Sequence, residues 1–281
     1  MDYSTSFIFL TLPVAALAGF LGALLGIGGG VILIPFLVLF MGVPIQYAIA
    51  AGMVAVIATS TGSAISYVKG GVTNLKLSMF LEAGTVAGAL IGAMLASRLP
   101  ANILELLFAL VLLICAYSMF SMMGRFRKTE NDKLAQHLEL HSHYHDAENG
   151  RTEYGVTNSV HGLLGSVVAG CAACLFGIGG GVIKVPLMNN VMRVPIKVAA
   201  ATSNFMIGVT AATGAIVFMR MGYVVPEIVA PVALGVMIGS LSGSRVSKKL
   251  KPDALRKLFV ILLIYVGIKM ALKGAGVDLG I

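Results

Sequence analysis

The stretch GIGGGVILIP, Gly26 to Pro35, interrupts a run of apolar residues of the kind that forms a membrane helix, and nearly the same string returns as GIGGGVIKVP at Gly177 to Pro186. Each glycine in a helix interior costs roughly 1 kcal/mol against alanine. Four glycines in five positions therefore predict a break in the helix, made twice at matched places.

The surroundings of both motifs are those of a membrane protein. The chain of 281 residues is 58% hydrophobic and 11% charged, with a mean hydropathy of +0.94, values outside the range of a water-soluble domain. Apolar stretches recur near 7–25, 30–41, 47–68, 78–97, 103–123, 158–176, 182–192, 198–219, 226–244 and 258–272. Most reach the roughly 20 residues that cross about 30 Å of hydrocarbon, whereas 30–41 and 182–192 are short. The first stretch has no basic n-region, begins with Asp2 and shows no small-residue cleavage site, so it reads as a mature membrane segment and not a signal peptide. Cys115, Cys171 and Cys174 lie inside apolar segments and read as small packing residues, since a structural zinc would need further ligands nearby.

Sliding the chain against itself by 151 residues aligns two halves without a gap. GIGGGVI meets GIGGGVI, Pro35 meets Pro186, Val43-Pro44-Ile45 meets Val194-Pro195-Ile196, and Thr59 meets Thr210. Gly84, Gly88 and Gly92 meet Gly235, Gly239 and Gly243, and Arg98-Leu99 meets Lys249-Leu250. The organisation expected is a first membrane repeat over 1–123, a polar linker over 124–157 and a second membrane repeat over 158–281.

Counting basic residues in the loops orients the repeats. With five segments per half, fifteen Lys and Arg fall on one side and four (Arg98, Arg220, Lys269 and Lys273) on the other; four spans per half would split them ten against nine. The asymmetry favours inverted repeats with both termini outside and the linker in the cytoplasm. The fold class expected is thus an all-α polytopic membrane protein of two inverted five-segment repeats, with broken or re-entrant helices at the GIGGG motifs.

Proline is tolerated at the start of a helix and disruptive further in. Pro35 and Pro186 therefore predict that the next helix begins at or just before them, or is kinked there, leaving Gly26 to about Ile34 partly unwound. Unwound backbone at membrane depth is acceptable only where it is buried in protein or lines a watery cavity. Bare backbone N–H groups beside a helix N-terminus attract anions, and two such elements brought together by an inverted repeat form the midplane site of many secondary transporters. Gly28, Gly29, Gly30, Gly179, Gly180 and Gly181 are accordingly expected to line a substrate site. Gly84, Gly88, Gly92 and their partners, spaced by four, read instead as helix-packing positions.

Lys184 stands where the first copy has Leu33, in an otherwise apolar run. An intramembrane charge is costly and usually functional; here it would fix the sign of the substrate as negative, while the plainer alternative is a lysine that snorkels to the surface. Thr59, Thr202, Ser203 and Asn204 lie in the segments that follow the motifs and are candidate pathway residues, although hydroxyls and amides in helices also bond their own backbone. Glu82 is a weaker candidate for proton coupling, because Ala233 occupies its matched position and Lys76 lies only six residues before it. In the linker, His137, His141, His143 and His145 with Asp146 form a pattern seen in metal sites, with His137 and His141 on one helical face. Such clusters also occur in solvated linkers, and no metal is assigned.

Two copies of GIGGG-x4-P, each followed by a Val-Pro dipeptide, with Ala201-Thr202-Ser203 in the second copy, resemble the sulfite exporter TauE/SafE family of anion permeases over nearly the whole chain, 7–272. The first copy departs from the family's Thr-Ser with Ala51-Gly52. The resemblance implies a transporter of sulfite or organosulfonates that is coupled to an ion gradient, proton or cation, and uses no ATP. It also implies that the motif glycines and prolines belong to the binding element. The partners expected are a small anionic substrate and the lipid bilayer of the cytoplasmic membrane, with no nucleic acid, no cofactor and no catalytic residue. The rival readings are a passive anion channel, an intramembrane enzyme, for which His161 and isolated cysteines are poor material, and a metal-responsive sensor built on the linker.

Overall fold

A computed structural model describes residues 5–25, 28–69, 71–121, 132–146, 150–246 and 252–277. Gly26 and Ile27 of the first motif, much of the linker's first part and residue 70 lie outside them. The first half carries α1 (Thr5–Leu25), α2 (Gly30–Leu39), α3 (Ile45–Lys69), α4 (Leu75–Arg98) and α5 (Ala101–Ser121). The linker carries α6 (Lys133–His137) and an antiparallel hairpin, β1 (Ser142–Asp146) with β2 (Gly150–Tyr154). The second half carries α7 (Ser159–Phe176), α8 (Gly181–Pro186) running into a π-turn (Leu187–Val191), α9 (Ile196–Arg220), α10 (Pro226–Val246) and α11 (Pro252–Gly274).

The protein is therefore an all-α polytopic membrane protein, apart from one small hairpin in the linker. Among the described residues, six helices are long and apolar enough to cross a membrane: α1, α3, α4, α7, α9 and α10. Helix starts in the two halves coincide at the offset of the sequence repeat, Gly30 with Gly181, Ile45 with Ile196, Leu75 with Pro226 and Ala101 with Pro252. Proline supplies the reason at several of them. Pro44 and Pro195 stand just before α3 and α9 and accept their first backbone bonds, from Ala48 and Ala199, and Pro226 and Pro252 open α10 and α11.

Packing is exchanged between the halves. α1 lies along α10 and α4 along α7, while α3 crosses α9 and α5 pairs with α11. The glycines spaced by four explain the closeness of the first two pairs. A Cβ at Gly88 would overlap the Val167 carbonyl, and one at Gly239 would overlap the Ala16 carbonyl. Gly92 and Gly243 press in the same way on the carbonyls of Cys171 and Phe20. The packing role expected of these glycines is what the structure shows. Outside these seams the helices present large apolar side chains, such as Phe9, Ile91, Tyr117, Val168 and Tyr265, to the surroundings, as lipid contact requires.

The helices after the glycine motifs begin earlier than the prolines led us to expect. α2 starts at Gly30 and α8 at Gly181, five residues before Pro35 and Pro186, which sit inside or at the end of their helices. The reason lies in the turn that precedes them. Gly28 (φ 77°), Gly179 (φ 71°) and Gly180 (φ 75°) take left-handed conformations open to glycine. That reversal lets the Gly29 carbonyl accept from Leu33 N–H at 3.2 Å and the Gly180 carbonyl accept from Lys184 N–H at 2.9 Å. The prolines act further on. Both helices loosen after them into wide turns, Met41 N–H donating to Phe36 C=O at 3.3 Å and Met192 N–H to Leu187 C=O at 3.2 Å.

Candidate functional site

The two glycine breaks meet in the middle of the protein. A Cβ on Gly28 would lie 3.6 Å from the Ile178 carbonyl oxygen, one on Gly30 would overlap the Gly177 carbonyl, and one on Gly177 would lie 2.9 Å from the Ile49 carbonyl oxygen. Val56 fills the space beside Gly28, Gly30 and Gly179. All of Gly28 to Gly30 and Gly177 to Gly181 are buried. The face-to-face arrangement expected of the two motifs is present. At Gly30 the room left by the missing side chain is taken by backbone of the opposite motif, and at the other motif glycines by Val56 and by neighbouring helices, so the glycines allow close packing around the two breaks.

One turn past the second break, Lys184 is 1% exposed. It does not snorkel. Its ammonium donates to Thr210 Oγ1 at 2.6 Å, and the same hydroxyl donates to Glu82 Oε1 at 2.7 Å. Glu82 Oε2 lies 3.8 Å from Lys184 Nζ and has no hydrogen-bond partner. Three elements from both halves thus build one neutral cluster: α4 carries the carboxylate, α8 the cation and α9 the bridging hydroxyl. Cys174 of α7 closes it, its thiol 3.5 Å from the Thr210 carbonyl oxygen. Glu82 therefore belongs with Lys184 and not with Lys76, which is paired with Glu139 of the linker at the surface.

The other site candidates divide. Thr59 Oγ1 donates to its own helix at Ala55 C=O (2.9 Å), and Thr202 Oγ1 accepts from Asn74 N–H (3.1 Å) at the linker end of α9. Eight residues along the helix, Thr202 is about 12 Å from Thr210, so Thr202 is not part of the charged cluster. Ser203 Oγ and both amide atoms of Asn204 are buried without a hydrogen-bond partner, and Ser203 precedes Thr210 by two helical turns on the same face. Ser60, one residue on from Thr59, donates to the Asn204 carbonyl at 2.6 Å and ties α3 to α9. A third ion pair joins α5 and α11, with Lys273 3.8 Å from Glu105 and donating at 2.7 Å to the Val38 carbonyl at the end of α2, where a cation meets the negative pole of the helix.

The described part of the linker is docked on the helices. Ala135, Leu140, Tyr144 and Val156 pack into one apolar cluster with Leu77 and Leu81 of α4, Val185 and Met188 after the second break, and Met206 of α9. Asn74 is the hinge of this docking. It caps α4 by accepting from Leu77 N–H at 3.0 Å and donates to the Leu140 carbonyl (2.9 Å) and Tyr154 hydroxyl (3.0 Å). Asp132 caps α6 and also accepts from the Ser159 amide and hydroxyl at the start of α7 (2.7 and 2.8 Å). Burial alone would raise its carboxyl; the bonds from Ser159, Ala135 and Leu134 outweigh that and hold it below the usual carboxylate range. The Tyr154 phenol moves the other way, raised by burial against the bonds from Asn74 and Ser142. His137 and His141 do not share a helical face, because α6 ends at His137 and His141 Nδ1 accepts from Val156 N–H at 3.0 Å. Among the described residues no group of three His, Cys, Asp or Glu side chains is placed to hold a metal.

A polytopic helical protein whose two halves each break at a glycine motif, with an ion cluster buried beside one break, has the build of a membrane transporter. The pattern of the Sulfite exporter TauE/SafE family matches residues 11–270, and the chain belongs to that family. Similar proteins include the probable membrane transporter protein YunE of Bacillus subtilis, 28% identical over 96% of this chain and 98% of its own length. A probable membrane transporter protein of Haemophilus influenzae is 27% identical over 95% of this chain and 99% of its own. The sulfite exporter TauE/SafE family protein 1 of Arabidopsis thaliana is 34% identical over 46% of this chain and 29% of its own length. These relatives are named as transporters or exporters, not as enzymes. No solved structure matches the chain.

Proposed function

We propose that this protein is a secondary transporter that moves a small sulfur-containing anion, sulfite or an organosulfonate, across the cytoplasmic membrane by alternating access. Lys184 carries the reading: a fully buried cation within a turn of the point where two glycine breaks meet. A charge in that position is costly unless it has a task, and its sign selects an anion. The exporter name of the Arabidopsis relative supports sulfite as the type of cargo. In this reading 1–123 and 158–281 are inverted repeats, 124–157 is a cytoplasmic linker and both termini lie outside.

Rocking of one half against the other parts the breaks and turns the backbone of Gly28 to Gly30 and Gly179 to Gly181 toward the anion. The unpartnered donors of Ser203 and Asn204 then have a ligand to serve. Thr59 and Thr202 join only if they release their present backbone partners. The test is a binding and uptake screen of sulfite, thiosulfate, sulfoacetate and taurine in proteoliposomes. Uptake against a gradient, abolished by an uncoupler, is expected and separates a transporter from a passive channel. Lys184→Ala is expected to remove saturable binding; a variant that binds anions as well as the parent protein overturns the assignment.

A further inference from the structure

Resting on that reading, we propose that Glu82 is an exchangeable counter-ion: the substrate anion takes its place on Lys184 while Glu82 takes up a proton, so that each anion crosses together with a proton. The pairing has the geometry of a partner held in waiting. A committed buried ion pair is close and satisfies its remaining lone pairs with further bonds. Here Glu82 Oε2 stands off at 3.8 Å with no hydrogen bond, and the link between the charges runs through the Thr210 hydroxyl. The cation has three donors, and the structure gives it Thr210 at bonding distance and Glu82 beyond it.

Charge conservation then dictates the proton. With Lys184 positive and Glu82 negative, the buried site is neutral. Adding a monovalent sulfonate to the cation would leave it one charge negative in a low-dielectric surround, a state that burial disfavours strongly. Transfer of one proton from water to the Glu82 carboxylate makes the loaded site neutral again: cation, anion and neutral acid. Anion and proton therefore favour each other's binding reciprocally, and they travel in the same direction with no net charge moved. The groups facing Glu82 leave it this role. α8 contributes Lys184, α9 the Thr210 hydroxyl, and α7 the Cys174 thiol, which has Cys171 beside it. The linker side contributes Tyr144 and Tyr154 in the apolar cluster beside Leu81, while on α4 itself Lys76 is already paired with Glu139.

The experiment uses the full chain in proteoliposomes with sulfite, isethionate and methanesulfonate. The two sulfonates keep one negative charge across the physiological pH range, so any pH dependence of their movement belongs to the protein. An internal pH dye is expected to report proton entry with each sulfonate, and a potential set with valinomycin is expected to leave the rate unchanged. Glu82→Gln is expected to flatten the pH profile, to lose accumulation driven by a pH gradient and to lower the half-saturating sulfonate concentration, since a competitor for Lys184 is gone. Glu82→Asp is expected to keep coupling with a displaced pH profile, which guards against a fold defect in the amide variant. Sulfonate movement that needs Lys184 but brings no proton, or Glu82→Gln with the parental pH profile, overturns the counter-ion proposal alone. If the parent protein moves none of the three anions, or Lys184→Ala moves them equally well, the transporter reading falls and the proposal with it.

Discussion

The two halves share a backbone plan and differ in the side chains that stand beside their breaks. Beside the second break stand Lys184 and Thr210 with Glu82; at the matched positions beside the first stand Leu33 and Thr59 with Ala233. Leu33 is fully buried, as Lys184 is. The starts of the last four helices of each half agree residue for residue, the seams use the same glycines, and the wide turns after the prolines are made by the same bonds. Duplication thus supplied a symmetric frame, and the charge was placed on one side of it only. A symmetric scaffold positions two breaks against each other; an asymmetric cluster gives one of them a chemistry.

That difference can be tested by making the second half resemble the first. Lys184→Leu alone strands the Glu82 carboxylate in the interior, and removing one partner of a buried pair costs about 3–5 kcal/mol. Adding Glu82→Ala copies the composition of the first half and removes the stranded charge. Thermal unfolding in detergent is expected to show most of the lost stability returning in the double variant, while sulfite uptake stays absent in both. Stability that does not return would mean that Lys184 and Glu82 are not energetically coupled.

The next largest effect tests the symmetric part. Gly88→Ala and Gly239→Ala each drive a methyl into a carbonyl of the facing helix, at Val167 and Ala16. Overpacking of this kind typically costs about 1–3 kcal/mol, and the two variants are expected to lose equal stability because the α4 and α7 seam repeats the α10 and α1 seam. Unequal losses in the same unfolding assay would break the equivalence of the two seams.

The frame was legible in the sequence because its signals are local or periodic. Apolar runs announced the helices, GIGGG the breaks, and glycines spaced by four the seams. The cluster was legible only in pieces. Lys184 and Glu82 each stand out as lone charges in apolar runs, and two lone charges of opposite sign within membrane segments are a reason to look for a pair. That they meet depends on α4 packing against α7 and α9 across the halves, which no local pattern encodes. Thr210 looked like one of several hydroxyls, and its role as bridge follows from that same packing. The starts of α2 and α8 were misplaced because the glycine turns before them, not Pro35 and Pro186, decide them. The docking of the linker through Asn74 and Asp132 was hidden in residues that look like ordinary helix caps.

The smallest effect probes a place where the backbone of the two breaks departs from symmetry. Gly180 is left-handed, with φ of 75°, whereas its counterpart Gly29 has φ of −72°, a right-handed helical value that any residue adopts. A left-handed conformation costs a non-glycine residue roughly 1–2 kcal/mol, and a Cβ at Gly180 would also sit 2.8 Å from that of Ala173. At Gly29 the nearest atom to such a Cβ is the Ala18 carbonyl oxygen at 3.3 Å, close but without backbone strain. Gly180→Ala is therefore expected to unfold at a lower temperature than Gly29→Ala, by the handedness term and the tighter contact together. Its turn feeds directly into the helix that carries Lys184, so it is also expected to weaken anion binding more than Gly29→Ala does. Equal behaviour of the two variants in both measurements would mean that the breaks interconvert, each passing through the conformation that the other holds here.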